Sequence, residues 1–480
     1  MVNAEQHLSV GPPDAAGAGR VVPWPWPGKV TGTGRAGRAV LALVAFVVLL
    51  TLSFPPFRVW PAAYFAVAPL LWFAVNVRWR WAAAGCFAAG AVFWVGNLFW
   101  LAPITGPGYV VLALFMALYF VLFGLAARGL VKRGRWPATV AAPVVWVAIE
   151  WLRSNYPQGG FAWFVLGNSQ APAAVLIQGA DVLGVWGVSF VVAMVNGLWV
   201  DWLLGHPRRR RLSVVAGVVV LVWVGYGAYR LSQSTTRGGP RIAVIQEYIP
   251  QSVKDSGHHD EEIFEKHLAL TKAAAGLAEK PDLIVWPETM VPGYMNREFV
   301  EAPLGTFVPG FEEQARDFLE ALQGEAGRTG VPLLLGTEAL IPAPDWEHSQ
   351  QENRTVLLDP VRGVVASYAK IHLVPFGEYI PWRDVPLVRW VIRTFSPYGD
   401  FDYSCTPGHE LTRFELKSGV KAYSFATPIC FEDTRPGPAR SMVAAGAGHG
   451  KADFLLSVSN DGWFHWLQLD QHLQATQLRA

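Results

Sequence analysis

Three side chains in the second half of this chain are of the types that acyl-group chemistry needs: Glu288, Lys370 and Cys430. Glu288 ends the apolar run Leu283-Ile284-Val285-Trp286-Pro287. Lys370 follows Tyr368-Ala369, and Cys430 follows Thr427-Pro428-Ile429. A thiol becomes a nucleophile on losing its proton, and its free pKa is about 8.5. A nearby ammonium lowers that value, and a nearby carboxylate can take the proton. Attack on an ester or amide carbonyl creates an oxyanion, which a fixed ammonium stabilises together with backbone N–H groups. Cys430 as nucleophile, Glu288 as general base and returning acid, and Lys370 as oxyanion stabiliser form a consistent assignment. Singly, each has a plainer reading as a solvated loop glutamate, a loop lysine or a packing cysteine. Their shared position near the ends of β-like runs favours a site.

The elements that must position these residues divide into two halves. Of the 480 residues, 52% are hydrophobic and 16% charged, which excludes an ordinary soluble protein of this size. Residues 39–229 are nearly all apolar, whereas residues 241–480 carry most of the Asp and Glu and read as a water-soluble α/β unit. A net charge of +2, without a basic stripe, excludes a nucleic-acid partner. Many of the 22 Trp lie near span ends, as interfacial anchors do. Cys86 sits inside an apolar run as a packing residue. Cys405 and Cys430 can pair in an oxidising compartment, but three irregularly spaced cysteines give no disulfide framework and no zinc pattern. His258-His259-Asp260-Glu261 reads as a helix start capped by Asp260 or Ser256, not as a metal site. No metal or cofactor is expected.

Residues 1–38, rich in Gly, Pro and Ala with scattered Arg and Lys, read as a disordered basic tail, and 39–231 as a membrane unit. Spanning takes roughly 20 apolar residues as helix. The runs at 39–54, 61–77, 81–101, 109–131, 137–152, 184–204 and 213–229 give about seven candidate spans. Basic residues occupy every second loop: the tail, Arg78 and Arg80, Arg128 to Arg135, and Arg208 to Arg211. The positive-inside rule then puts the amino terminus in the cytoplasm and residue 241 onward outside it. The stretch 153–183 is too polar to span and too apolar for a free loop. It lies along the outer surface or packs as a re-entrant segment. Glu150 and Arg153 can pair nearby. After a linker at 232–240, strands are expected at 241–246, 282–285, 332–336, 354–358, 363–368, 422–426 and 454–458. Helices are expected at 261–278 and 311–329. This alternation argues for a layered sheet-and-helix fold.

Trp286-Pro287-Glu288-Thr289, the run from Lys370 to Glu378 (Lys-Ile-His-Leu-Val-Pro-Phe-Gly-Glu), Ile429-Cys430-Phe431-Glu432 and Ser459-Asn460-Asp461-Gly462-Trp463-Phe464 together resemble the nitrilase superfamily. The preceding spans, the long Lys370–Glu378 run and the stretch Leu52 to Pro61 resemble its membrane branch, the apolipoprotein N-acyltransferases. The resemblance covers roughly residues 39–480. It implies a multi-span α-helical membrane domain plus an extracytoplasmic nitrilase-like α-β-β-α sandwich over 241–480. It also implies a bacterial inner membrane location, and a monomer is expected. A phospholipid would donate an acyl chain to Cys430. The α-amino group of an S-diacylglyceryl cysteine, at the start of a lipoprotein, would then take it up. Glu378 matches a second essential glutamate, orienting Lys370 or the amine. Glu432 and Phe431 follow the nucleophile, and Ser459 and Asn460 shape the loop facing it. Three positions depart from the family pattern. Asp255 stands where it has Trp, Phe431 stands where it often has Tyr, and the chain stops at Ala480, before further strands and a last span are expected. Two rivals remain open: a membrane-tethered amidase using the same three residues, and an inactive relative that only binds lipid or lipoprotein.

Overall fold

The computed structural model describes residues 32–106, 108–247, 249, 251–254, 259–303, 305–306, 311–341, 349–395, 404–444, 450–463 and 466–478. Asp255, Ser256 and His258 lie outside these residues, as does the basic tail up to residue 31.

The apolar half is helical: α1 (Gly32–Leu52), α2 (Ala63–Asn76), α3 (Trp79–Asn97), α4 (Gly108–Lys132), α5 (Ala138–Asn155), α6 (Ala180–Leu203) and α7 (Arg209–Ser232). The first helix takes in residues 32–38, which composition had assigned to the tail. Each expected span falls on a helix, but among the described residues α4, α6 and α7 alone are long and apolar enough to cross a membrane unaided. The pair α3 and Phe99–Thr105, bent by 53°, makes a fourth if it is one broken span. Ala36–Leu52 and Trp60–Asn76 are apolar but shorter, and α5 carries Glu150 and Arg153.

Polar side chains hold these helices together where backbone groups lack partners. The Asp201 carboxylate, buried on α6, accepts the amides of Ala138 and Thr139 at 2.9 and 2.8 Å and so caps the start of α5. Close approach needs a small residue there: a Cβ on Gly197 would lie 2.1 Å from the Ala138 carbonyl oxygen. Beyond α5 the chain folds back as a packed segment. Arg153 donates to the carbonyls of Phe161, Trp163 and Phe164, and Glu150 accepts the Leu166 amide at 2.6 Å. The two charged groups lie 3.9 Å apart, both buried. Much of this stretch, including Ala162 to Leu166 and Asn168 to Gln170, is therefore buried.

The second half forms two sheets. The first has the order β1 (Ile242–Val244), β2 (Leu283–Val285), β3 (Leu333–Ile341), β4 (Gln350–Asp359), β5 (Gly363–Ala369). Its first three strands are parallel and its last two antiparallel. The second has β6 (Phe414–Ser418), β7 (Lys421–Ala426) and β8 (Phe454–Leu455). Strand β6 was not among the expected strands, although Phe414 and Leu416 are buried and alternate with exposed Glu415 and Lys417.

Alternation along the strands sets the layers. Ile284, Leu333 and Leu335 face one core, shared with α8 (Asp260–Ala275) and α9 (Phe311–Thr329). Leu283, Val285 and Leu334 face a second core, shared with Phe414, Leu416 and Phe425 of the other sheet and with Met442 of the outer helix. The acidic start and Arg328 near the end of α9 suit its macrodipole. Its apolar face, Ala315, Phe318, Leu322 and Ala326, has helical spacing. Contrary to expectation, Asp260 does not cap α8. It is the first helical residue, after His259, and among the described residues no side chain makes the cap bond. Beyond the sheets lie α10 (Pro386–Phe395), α11 (Pro436–Val443), which carries Met442, and α12 (Trp466–Thr476). The result is a helix–sheet–sheet–helix sandwich joined to a bundle of apolar helices.

Candidate active site

Glu288 lies two residues beyond Trp286, whose amide bonds the Leu334 carbonyl at 2.9 Å and whose indole donates to the Thr271 hydroxyl at 2.8 Å. This anchors the strand end and turns Glu288 inward, where it is 5% exposed. β3 passes so close that a Cβ on Gly336 would lie 2.0 Å from the Pro287 oxygen and 2.6 Å from the Glu288 Cα, so glycine is required there. One Glu288 oxygen, Oε1, accepts from Asn353 Nδ2 at 2.7 Å and faces Lys370 Nζ at 3.4 Å. The other, Oε2, accepts the Asn460 amide at 2.8 Å.

Lys370 follows β5 and is 1% exposed. Its backbone amide donates to the Asn353 carbonyl at 2.8 Å, and its ammonium donates to Glu378 Oε1 at 2.8 Å. Glu378 is fixed in turn by the Val374 amide at 2.8 Å and by Asn353 Nδ2 at 3.1 Å. Burial works against the Lys370 charge, but Glu378, then Glu288 and Cys430, outweigh it and hold the ammonium well above its ordinary pKa.

Cys430 opens a short turn, Cys430–Thr434, and its amide donates to the Val458 carbonyl at 2.8 Å. Its φ of +50° is a left-handed value that a residue with a Cβ rarely adopts. Thr289 and Phe376, on the other two loops of the site, share it at +51° and +63°. Such strain persists only where surrounding contacts impose it. The thiol senses Glu288, Lys370 and Asp461 electrostatically, and the Ser459 hydroxyl lies within hydrogen-bonding reach. Burial raises its pKa well above the ordinary value, Glu288 and Asp461 raise it further, and Lys370 lowers it only in part. Lys370 lowers the thiol pKa, as expected, but does not outweigh burial. The resting sulfur is protonated, and a base must act during attack. Cys86, Cys405 and Cys430 are all free, so the Cys405–Cys430 pairing is absent.

Glu432 is wholly buried. Its Oε1 accepts from the Tyr368 hydroxyl at 2.8 Å and from the amides of Ile371 and His372 at 3.0 Å each, and its Oε2 accepts the Ile429 amide at 2.9 Å. Both oxygens are engaged and the side chain is closed off from solvent, so it ties the lysine loop to the cysteine turn. Phe431 points the other way, into the apolar cluster of the helical half, which also takes in Phe164, Trp94 and the edges of Phe161 and Val374. Ser459 donates to Asp461 at 3.1 Å, and Asn460 accepts the Gly462 amide at 3.1 Å. Asn353, which bridges both carboxylates, went unnoticed in the sequence. Its burial on β4 and its two carboxylate partners emerge only from the tertiary structure.

The family model described as the apolipoprotein N-acyltransferase N-terminal domain matches residues 47–198, and the carbon-nitrogen hydrolase model matches residues 241–480. The chain is 30% identical over 472 residues to an apolipoprotein N-acyltransferase of Allorhizobium ampelinum, covering 92% of this chain and 82% of that one. It is 29% identical over 460 residues to one of Geobacter metallireducens, covering 92% and 81%. A carbon-nitrogen hydrolase of known structure from Helicobacter pylori G27 aligns over 46% of this chain and 59% of its own. Identity is 16% and the TM-score 0.29, too low to carry weight.

Proposed function

Because the chain belongs to the apolipoprotein N-acyltransferase family, we propose that it moves an acyl chain from a phospholipid, through a thioester on Cys430, to the α-amino group of a lipoprotein's S-diacylglyceryl cysteine. In the first half-reaction Glu288 takes the thiol proton as sulfur attacks the ester carbonyl. The Lys370 ammonium faces the developing oxyanion. The C–O bond breaks, and Glu288 returns the proton to the departing lysophospholipid oxygen. In the second, the amine attacks the thioester carbonyl and gives its proton to Glu288. The C–S bond breaks, an amide remains, and the thiol is restored. Splitting ester-to-amide transfer into two substitutions lowers each barrier. Glu378 holds Lys370, Glu432 holds the two loops together, and Asn353 and Asn460 aim the base.

One observation carries this reading. The buried group Asn353, Glu288 and Lys370, with half-buried Glu378, lies beside a cysteine whose next residue, Phe431, is packed among the apolar helices. A site rooted in that core suits substrates that reside in a bilayer; a small soluble amide needs no such root. The test uses purified protein in detergent, labelled phospholipid and then a diacylglyceryl-cysteine peptide. The expected result is a label on Cys430 that the peptide clears as product, with strong loss for Glu288→Gln and Lys370→Ala. Ammonia release from small amides without transfer, or a Cys430→Ala variant as active as the parent, would overturn it.

A further inference from the structure

Helix α12 brings a buried histidine, His472, between two carboxylates on either side of the candidate site. Its Nε2 lies 2.8 Å from Asp433 Oδ1, three residues along the turn from Cys430. Its Nδ1 lies 2.9 and 3.2 Å from the two oxygens of Asp461. The ring is 4% exposed, and Trp163 of the packed segment covers it at 5.8 Å between centroids. Ionised carboxylates only accept, so both ring nitrogens must donate and the ring is an imidazolium. Each carboxylate is also fixed to its own loop: Asp433 accepts from Ser457, and Asp461 from Ser459 at 3.1 Å and Gln468 at 3.3 Å. Asn460, next to Asp461, donates its amide to Glu288. Burial works against the ring's charge, but Asp433 and Asp461 prevail and hold it well above the usual histidine value.

We infer that His472 is a positioning residue for the cysteine chemistry: its imidazolium clamps the nucleophile's turn to the loop that aims Glu288, and it offsets the negative charge Asp461 projects onto the thiol. The inference rests on Cys430 as the reacting thiol. The groups facing that thiol are Glu288, Lys370, Asp461 and Ser459. Those facing the imidazole are Asp433 and Asp461, since the neighbouring Asp470 is paired with Arg58.

Thiol acidity should then follow the net charge of the Asp433–His472–Asp461 group. The full-length protein is alkylated with iodoacetamide across a range of pH, and modification of the Cys430 peptide is followed by mass. His472→Gln makes the group more negative and moves the midpoint up by about 0.5 pH unit or more. Asp461→Asn moves it down. The double variant His472→Gln/Asp461→Asn returns it to the parental position, which a purely structural role would not do. His472→Gln matching the parent, Asp461→Asn failing to fall, or the double variant failing to return would each overturn the inference. If His472→Gln does not fold, Asp461→Asn alone decides. The readout needs no lipid, so its failure is separate from failure of the acyl-transfer assay.

Discussion

At the scale of single residues, the site works through hydrogen bonds to charge. Asn353 is a neutral side chain that touches both Glu288 and Glu378. A hydrogen bond to a charged group contributes about 1.5–3 kcal/mol, so Asn353→Ala is expected to lower the acyl-transfer rate about 10- to 100-fold. The protein should stay folded, as circular dichroism and size exclusion would check; an undiminished rate would remove Asn353 from the machinery. The thiol makes a prediction about pH. Because its pKa is raised, it is protonated at neutral pH, and a variant without the base must wait for hydroxide. In Glu288→Gln, alkylation of Cys430 should keep rising through the alkaline range; a plateau below about pH 8.5, the ordinary thiol value, would contradict this.

At the scale of elements, two contacts decide whether the loops meet. Burial pushes the Glu432 carboxyl up, but the nearby His372 ring and the amides of Ile429 and His372 outweigh it and hold it below the usual range. Its contribution is therefore present above the unfolded value of about 4.3 and fades as pH falls through the folded value. Glu432→Gln, which turns a donor toward donors, should cost about 3 kcal/mol and flatten the acid limb of a stability–pH curve measured by denaturant titration. A curve that keeps its acid limb would assign that limb to another carboxylate. Gly336→Ala tests the approach of β3 to the Glu288 loop. With a Cβ 2.0 Å from a backbone oxygen, the strand must shift, at about 1–3 kcal/mol, and transfer activity should fall further than stability alone explains.

At the scale of the whole molecule, we propose from the alternation of basic loops that the sandwich lies outside the cytoplasm. In right-side-out vesicles, added protease should remove residues beyond about 241 while the Arg208–Arg211 loop stays protected; the opposite pattern would invert the topology. Much of this architecture was legible in residue order. Hydropathy marked the apolar helices, period-two runs marked most strands, and the flanks of Glu288, Lys370 and Cys430 marked the candidate site, because residue type and periodicity are local properties. Span lengths were less legible: the 53° bend after α3 falls at Leu98, within an apolar run that hydropathy reads as continuous. The thiol's protonation, the burial of Glu432 between two loops, the bridging by Asn353 and the clamp at His472 were decided only by the tertiary structure. Each depends on how much water is excluded and which partners arrive from sequence-distant loops, and no neighbouring residue in the chain encodes either.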